Sequence, residues 1–171
     1  MARVLVTRPE PGASRTAERL RALGHEPIVL PLTRIEALSP QWPSGPFDGV
    51  LATSANAFAS TGSLPDPWRN LPLHVVGEQT ARAAGSAGFE RIRTVAADVD
   101  ALLARLSGAC ARGSRFLYLC GRERRPDLEK GLEARAHIVT PVETYDTVSV
   151  SYLTDKIREI AGPDRVHAAL V

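Results

Sequence analysis

Four places in this sequence put small or polar residues where a strand signal ends and a helix signal begins: Thr7-Arg8, Thr53-Ser54, Gly77–Thr80 and Cys120–Arg122. In a parallel α/β sheet, ligands collect at the carboxyl ends of the strands. The first turn of a helix offers unpaired N–H groups and partial positive charge there, which bind carboxylates or phosphates. The pattern predicts an anion site held mainly by backbone amides, although helix capping alone would explain any one of these residues.

Tyr145 is the candidate for proton transfer. It lies in the extended segment Pro141–Val148, and Leu30–Leu38 is a second extended segment that precedes a proline-rich break. One segment leaving and one returning predict a chain that exits a first α/β lobe, builds a second lobe and comes back. Tyr145 would then face the cleft between the lobes. The alternative is a half-buried tyrosine that packs with its hydroxyl satisfied.

A basic cluster of Arg122, Arg124 and Arg125 follows one of the predicted strands. It would attract an acidic substrate to the carboxyl end of the sheet. The alternative reading is a solvated loop, since a surface charge run is weak evidence of a site.

Other chemistries lack their motifs. The sequence has no glycine-rich dinucleotide fingerprint after its first strand, no P-loop ending and no G-x-S-x-G nucleophile elbow. Cys110 and Cys120 show no metal spacing and are expected as thiols, with Cys120 a small core residue at a strand end. The histidines also lack zinc spacing and are expected at surfaces or strand flanks: His25, His74, His137 and His167. We therefore predict neither a metal nor a cofactor.

The elements that would position these residues alternate between strand and helix, which is the pattern of a parallel α/β fold. The predicted strands are Arg3–Thr7, His25–Leu30, Asp48–Thr53, Leu73–Val76, Ile92–Val95, Arg115–Cys120 and Val166–Val171. The predicted helices are Gly12–Leu23, a short one after Ser54 through Ser60, one ending near Ser86, one capped by Asp98 through Leu106, one from Pro126, and one capped by Ser151. Ser63–Leu71 is expected to be a proline-rich loop.

The amino-acid composition of the chain argues against some classes of function. Twenty-one basic and nineteen acidic residues give a net charge of +2, and aromatic residues are only 5% of the chain. Both values argue against a nucleic-acid-binding protein. The amino terminus does not resemble a signal peptide, and no apolar run is long enough to span a bilayer, so a cytoplasmic monomer is expected. The last residues, Ala168–Val171, read like the middle of a buried strand, and we expect the chain to be truncated there.

Several stretches together resemble the uroporphyrinogen-III synthase family: VLVTRPEPGAS, FDGVLATSANA, LPLHVVGEQTARAAGSAGF, FLYLCGRERRPDLEKGLEARAH and PVETYDTV. The resemblance implies two lobes of parallel sheet flanked by helices, joined by a two-stranded connector. The first lobe would comprise residues 1–34 with 149–171, and the second residues 35–148, with connector strands near 30–38 and 141–148. The implied reaction needs no cofactor. Hydroxymethylbilane, a linear tetrapyrrole with eight carboxylates, loses its terminal hydroxyl and closes to uroporphyrinogen III with inversion of ring D.

The resemblance also implies roles for individual residues. Tyr145 matches the family's cleft tyrosine, proposed to assist departure of the hydroxyl as water. The residues expected to face the tetrapyrrole are Thr7, Arg8, Ser54, Gly77, Thr80 and Gly121, to which the basic cluster adds Arg122. Because the family extends well past position 171, we expect little or no synthase activity from these residues alone. The alternative function is a non-catalytic α/β module that binds an anionic small molecule.

Overall fold

Short runs of β-branched and apolar residues form the strands of this protein, and segments with apolar residues at helical spacing form its helices. The computed structural model describes residues 1–58, 64–163 and 165–170. Its strands are β1 (Arg3–Val6), β2 (Glu26–Val29), β3 (Thr33–Ala37), β4 (Gly49–Ala52), β5 (Leu73–Val76), β6 (Ile92–Ala96), β7 (Arg115–Gly121), β8 (Ile138–Ser149) and β9 (Ala168–Leu170). Its helices are α1 (Gly12–Ala22), a 3-10 helix (Ala55–Phe58), α2 (Asp66–Arg69), α3 (Glu78–Ser86), α4 (Val99–Ala109), α5 (Asp127–Glu133) and α6 (Thr154–Ala161).

The chain divides into two compact units, one made of residues 1–36 with 147–171 and the other of residues 37–146. The first unit carries a three-stranded sheet in the order β2-β1-β9, in which both neighbours run parallel to β1. Ala13 and Ala17 of α1 are buried, as are Val4 and Val6 of β1. The predicted lobe boundaries, after residue 34 and before residue 149, stay a prediction.

A six-stranded sheet has the order β3-β8-β7-β4-β5-β6, and the second unit is built on its strands from β8 to β6, with β8 running on past residue 146. The pairs from β8 to β6 are all parallel. Every residue of β4 is buried, and β7 is buried from Phe116 to Gly121. Such continuous apolar runs are typical of parallel strands covered on both faces.

The two faces of this sheet have separate apolar cores. Leu117 and Leu119 of β7 point to one core, whereas Phe116 and Tyr118 point to the other, as the strand period of two requires. The first core includes Ala57 and Phe58 from the 3-10 helix and Ala81 and Ala84 from α3. The second includes Leu102, Leu103 and Leu106 from α4 and Leu128 and Leu132 from α5. The second unit therefore has helices on both sides of its sheet, as the α/β prediction requires.

Strands β3 and β8 are neighbours, and each contains one of the two points where the chain passes between the units. The Leu38 amide donates to the Thr144 carbonyl at 3.0 Å, and the Val150 amide donates to the Leu32 carbonyl at 2.9 Å. Early residues of one strand thus meet late residues of the other, which is the antiparallel pattern. This pair corresponds to the two-stranded connector expected from the extended segments.

Most predicted elements are confirmed, with ends shifted by one to three residues. Asp98 caps α4, because its Oδ1 accepts from the Ala101 amide at 2.8 Å. The predicted cap at Ser151 is wrong: α6 begins at Thr154, and Leu153 is the residue before it. Helix α2 was missed inside the expected loop Ser63–Leu71, because two prolines and a short length hid its pattern. The predicted continuation of the short helix through Ser60 and the strand end at Val171 lie outside the described residues.

The expectation that the histidines lie at surfaces or strand flanks is wrong for His74, which lies inside β5, whereas His137 directly precedes β8 as a strand-flank residue. His74 in β5 and His137 before β8 are both 5% exposed. The His74 Nδ1 lies 2.9 Å from the Thr94 hydroxyl, and the Phe116 ring packs edge-to-face against both imidazoles. Burial, and then the charge of Arg93, lowers the pKa of His74. Burial also lowers the pKa of His137, with smaller contributions from nearby arginines.

Within the described residues, no helix is both long enough and apolar enough to cross a membrane.

We expect the free energy of unfolding to fall as the pH drops below about 6.5, where the unfolded chain binds protons that His74 and His137 resist in the folded state. Above that pH, both states hold neutral imidazoles and these residues contribute no pH dependence. Urea unfolding at about pH 7.5 and about pH 5.5 measures the difference. The loss should be smaller in His74→Gln and in His137→Gln. An unchanged loss in both variants would show that the imidazoles titrate alike in the folded and unfolded chain.

Candidate functional site

The carboxyl ends of the parallel strands in the second unit bring most of the predicted site residues to one edge of the sheet. Ser54 follows β4, Gly77 follows β5, and Gly121 ends β7. Tyr145 lies opposite Gly121 on the neighbouring strand β8. Since the strand order is β8-β7-β4-β5, these residues occupy consecutive positions along the edge. Thr80 lies in the first turn of α3, which begins directly after Gly77.

The ring of Tyr145 lies directly over the backbone of Gly121. A Cβ atom placed on Gly121 would be 2.7 Å from Cζ and 2.9 Å from the hydroxyl oxygen of Tyr145. Gly121 is not among the glycines with positive φ, so space and not backbone conformation requires glycine here. The register of β7 against β8 shifts between Cys120 and Gly121, which is the kind of irregularity that re-aims a side chain. Tyr145 also packs against the first core, so it is half-buried.

Thr144 anchors this part of β8 from the interior. Its side chain is fully buried, and its hydroxyl donates to the Ala57 carbonyl at 2.7 Å and lies 3.4 Å from the Cys120 carbonyl. Ala57 belongs to the 3-10 helix that follows Ser54, and Cys120 precedes Gly121. One buried hydroxyl therefore links the middle of β8 to the end of β7 and to the 3-10 helix that follows β4. A satisfied polar group in a core helps to specify the arrangement of the elements around it.

The small residues at this edge have different surroundings. The Ser54 Oγ accepts from the Asn56 amide at 3.3 Å, so it acts as a cap on the short helix. Gly77 has a φ of 85°, which favours glycine at the turn into α3, and it supplies no side-chain cap. The N-cap position of α3 therefore contributes no side-chain hydrogen bond to the first turn of this helix. Thr80 is only 4% exposed.

Two predicted residues, Thr7 and Arg8, lie in the first unit at the end of β1. Thr7 is buried, and its hydroxyl donates to the Leu170 carbonyl at 3.1 Å. The Thr7 amide donates to the same carbonyl at 2.9 Å. Arg8 is exposed and lies close to Gly12, where an added Cβ would be 3.0 Å from the Arg8 Nε.

The predicted basic cluster is largely paired with carboxylates. Arg122 contacts Glu143 at 3.3 Å and Asp146 at 2.8 Å. Arg124 contacts Glu129 at 2.9 Å and Glu143 at 3.5 Å. The acidic partners raise the pKa of the Arg122 guanidinium further. This end of the sheet therefore carries a mixed-charge network instead of unpaired positive charge.

The same network lines an open groove of about 400 Å³ in the second unit. Its walls are formed by Leu38, Ser39, Pro40, Gln41, Arg122, Arg124, Pro141, Val142 and Glu143. Leu38 is the last residue of the predicted connector segment Leu30–Leu38, whereas Ser39, Pro40 and Gln41 were predicted only as part of the proline-rich break that follows it.

Sequence reasoning also missed Tyr118, whose hydroxyl lies 2.9 Å from the Thr53 hydroxyl at the end of β4. Burial raises the pKa of Tyr118 to about 12, and the Thr53 hydrogen bond offsets part of this effect. Burial likewise raises the pKa of the Cys120 thiol to about 11. Both groups stay protonated near neutral pH. Cys120 is 3% exposed, as expected of a core residue at a strand end.

Across residues 1–58, 64–163 and 165–170, no group of three or more histidine, cysteine, aspartate or glutamate side chains is arranged to hold a metal ion.

The sequence of this chain matches the model of a known protein family. The model of the family described as uroporphyrinogen-III synthase HemD matches residues 14–171. The search of curated proteins found no match.

Solved structures share the fold. A mutant uroporphyrinogen III synthase from the extremely thermophilic bacterium Thermus thermophilus is 17% identical with a TM-score of 0.59, over 88% of this chain and 64% of that one. Uroporphyrinogen-III synthetase from Helicobacter pylori 26695 is 15% identical with a TM-score of 0.68, over 98% of this chain and 72% of that one. This chain therefore spans less than two thirds of the length of the T. thermophilus protein.

We expect Gly121→Ala to displace the Tyr145 ring and to lower the free energy of unfolding by about 1–3 kcal/mol, the usual cost of overpacking. In a Tyr145→Ala background the same change should cost much less, since the colliding ring is gone. Urea unfolding of the four proteins measures this coupling. Gly108→Ala is the matched control, because a Cβ there meets no atom within 4 Å. If Gly121→Ala proves as harmless as Gly108→Ala, the close contact with the ring is wrong.

Thr144→Val should lower the free energy of unfolding by about 1–2 kcal/mol, because it removes a buried donor from the Ala57 carbonyl while keeping the shape of the side chain. Thr140→Val, on the same strand, is the control, since no hydrogen bond of its hydroxyl is found among the described residues. Equal stability of the two variants would contradict the role of Thr144 as an anchor.

Proposed function

Because this chain belongs to the uroporphyrinogen-III synthase HemD family, we propose that it contributes to tetrapyrrole biosynthesis by cyclising hydroxymethylbilane to uroporphyrinogen III. The C–O bond of the terminal hydroxymethyl group breaks, and the oxygen leaves as water after receiving a proton. The carbon freed by this departure bonds to the ring D carbon that already carries the bridge from ring C. The old bond between that bridge and ring D then breaks, and the bridge carbon bonds to the free α-carbon on the other side of ring D, which loses a proton, so the macrocycle closes with ring D inverted. The net change is the loss of one water, which needs neither an oxidant nor a reductant.

The observation that carries the proposal is the position of Tyr145. Its ring is held over Gly121 at the carboxyl edge of the second unit's sheet. Among the described residues, none forms a hydrogen bond with its hydroxyl, so the group is available to a ligand. A phenol in this position supports proton donation to the departing hydroxyl.

Binding of the substrate carboxylates is proposed to rest on backbone amides at the strand ends. The amides after Gly77 support this role, because the first turn of α3 has no side-chain cap and carries partial positive charge. The other proposed contacts are Ser54, Thr80 and Gly121 in the second unit, and Thr7 and Arg8 in the first unit. Catalysis would then come mainly from holding a flexible substrate in the shape that closes the ring.

The test is an assay that separates uroporphyrinogen III from the I isomer, which forms spontaneously from hydroxymethylbilane. It is run on the complete product of the natural gene, with its intact mass measured alongside, and on the 171-residue chain. We expect the gene product to yield mainly isomer III. If it yields only isomer I but binds hydroxymethylbilane, the alternative of a non-catalytic anion-binding module replaces the synthase proposal.

Tyr145→Phe should lower kcat by roughly 100-fold, the lower end of the range of about 10²- to 10⁴-fold for a general acid, with KM changed little. The enzyme should be impaired and not inactive, because substrate folding supplies the larger part of the acceleration. Tyr152→Phe is the control, since that hydroxyl donates to the Pro31 carbonyl at 2.9 Å in the first unit. An unchanged kcat in Tyr145→Phe would refute the role assigned to this hydroxyl.

A further inference from the structure

Two carboxylates on β8 flank Tyr145 in the chain, and both engage the same guanidinium. The Arg122 Nε lies 3.3 Å from Oε2 of Glu143, and its Nη1 lies 2.8 Å from Oδ2 of Asp146. Glu143 precedes Tyr145 by two positions and Asp146 follows it directly. Arg122 therefore spans the stretch of strand that carries the tyrosine.

The backbone of Arg122 contacts the same stretch. Its amide donates to the Tyr145 carbonyl at 3.0 Å, just after the register shift between Cys120 and Gly121. A bulge interrupts the regular ladder, so backbone pairing alone restrains the strand less at this point. The side-chain contacts of Arg122 supply restraint on both sides of Tyr145.

Arg124 contacts the same group of residues. Its Nη1 donates to the Gly121 carbonyl at 3.2 Å and lies 3.5 Å from Oε1 of Glu143, while its Nη2 lies 2.9 Å from Glu129. The arginine thus holds the residue under the Tyr145 ring and one of the two carboxylates that engage Arg122. The network connects the end of β7, the start of α5 and β8.

We propose that Arg122, through Glu143 and Asp146, is a positioning residue for Tyr145 and not a direct contact for a substrate carboxylate. Exposed ion pairs add little to the free energy of unfolding. We therefore expect the contacts of Arg122 with Glu143 and Asp146 to affect the position of the Tyr145 ring more than the stability of the protein. The Arg122 side chain is 53% exposed, whereas Asp146 is 15% exposed. The predicted effect of Arg122 on kcat rests on the proposed synthase function. Its predicted effect on the position of the Tyr145 ring does not depend on that function.

The structural test reads the Tyr145 ring directly by NMR. In the parent protein, the α-protons of Gly121 should be shifted by the ring above them, and Tyr145→Leu defines their signals without it. Arg122→Met should move these signals toward those of Tyr145→Leu. Arg158→Met is the control, because Arg158 forms an exposed ion pair with Asp155 three residues away. Unmoved Gly121 signals in Arg122→Met would overturn the proposal.

The kinetic test separates positioning from binding by a double-mutant cycle on the complete gene product. Arg122→Met should lower kcat roughly tenfold, as expected for a misplaced catalytic group, and leave KM within about twofold. In a Tyr145→Phe background it should add less than about a twofold loss, because the hydroxyl that it positions is absent. A raised KM, or a full loss that persists in the Tyr145→Phe background, would instead assign Arg122 to the substrate and refute the inference.

Two further arms keep the outcomes distinct. If Arg122→Met does not fold, Asp146→Asn removes the carboxylate partner of the Arg122–Asp146 ion pair instead. This variant should give the same shifts of the Gly121 α-proton signals and the same loss of kcat. If the parent protein makes no isomer III, the synthase proposal fails, and the Gly121 signals alone decide whether Arg122 positions Tyr145.

Discussion

The pairing of β7 with β8 is the constraint on which the second unit's edge depends. It sets Tyr145 opposite Gly121, and the missing side chain of that glycine leaves room for the tyrosine ring. The buried hydroxyl of Thr144 ties the same pair to the segment that follows β4. Because close-packed interiors cannot adjust a single contact in isolation, the placement of the ring is a property of the whole sheet edge.

Burial and exposure divide the polar groups of this unit into two classes. His74, Tyr118 and Cys120 lie in the interior, where desolvation favours their neutral forms and leaves them structural. Charged side chains form a network at the carboxyl edge, where Arg122 and Arg124 share Glu143.

The family match and the shared fold coexist with identities of only 15% and 17% to the solved structures compared above. Fold can persist at such divergence because it depends on the alternation of apolar strands with amphipathic helices and on glycine at a few turns, and not on particular side chains. Gly77, with its positive φ, and Gly121, under an aromatic ring, are two positions where the requirement is strict.

The sequence by itself determined the α/β class, nearly every strand and the edge on which Ser54, Gly77 and Gly121 lie, since local patterns and the direction of parallel strands decide these features. That Tyr145 lies opposite Gly121 at this edge was decided by the register of β8 against β7. The sequence could not determine that Arg122 is engaged by carboxylates, that Thr80 and His74 are buried, or that Tyr118 reaches Thr53. Those facts depend on residues far apart in the chain, which only packing brings into contact. Local spacing carries no information about such contacts, so the tertiary structure alone decided them.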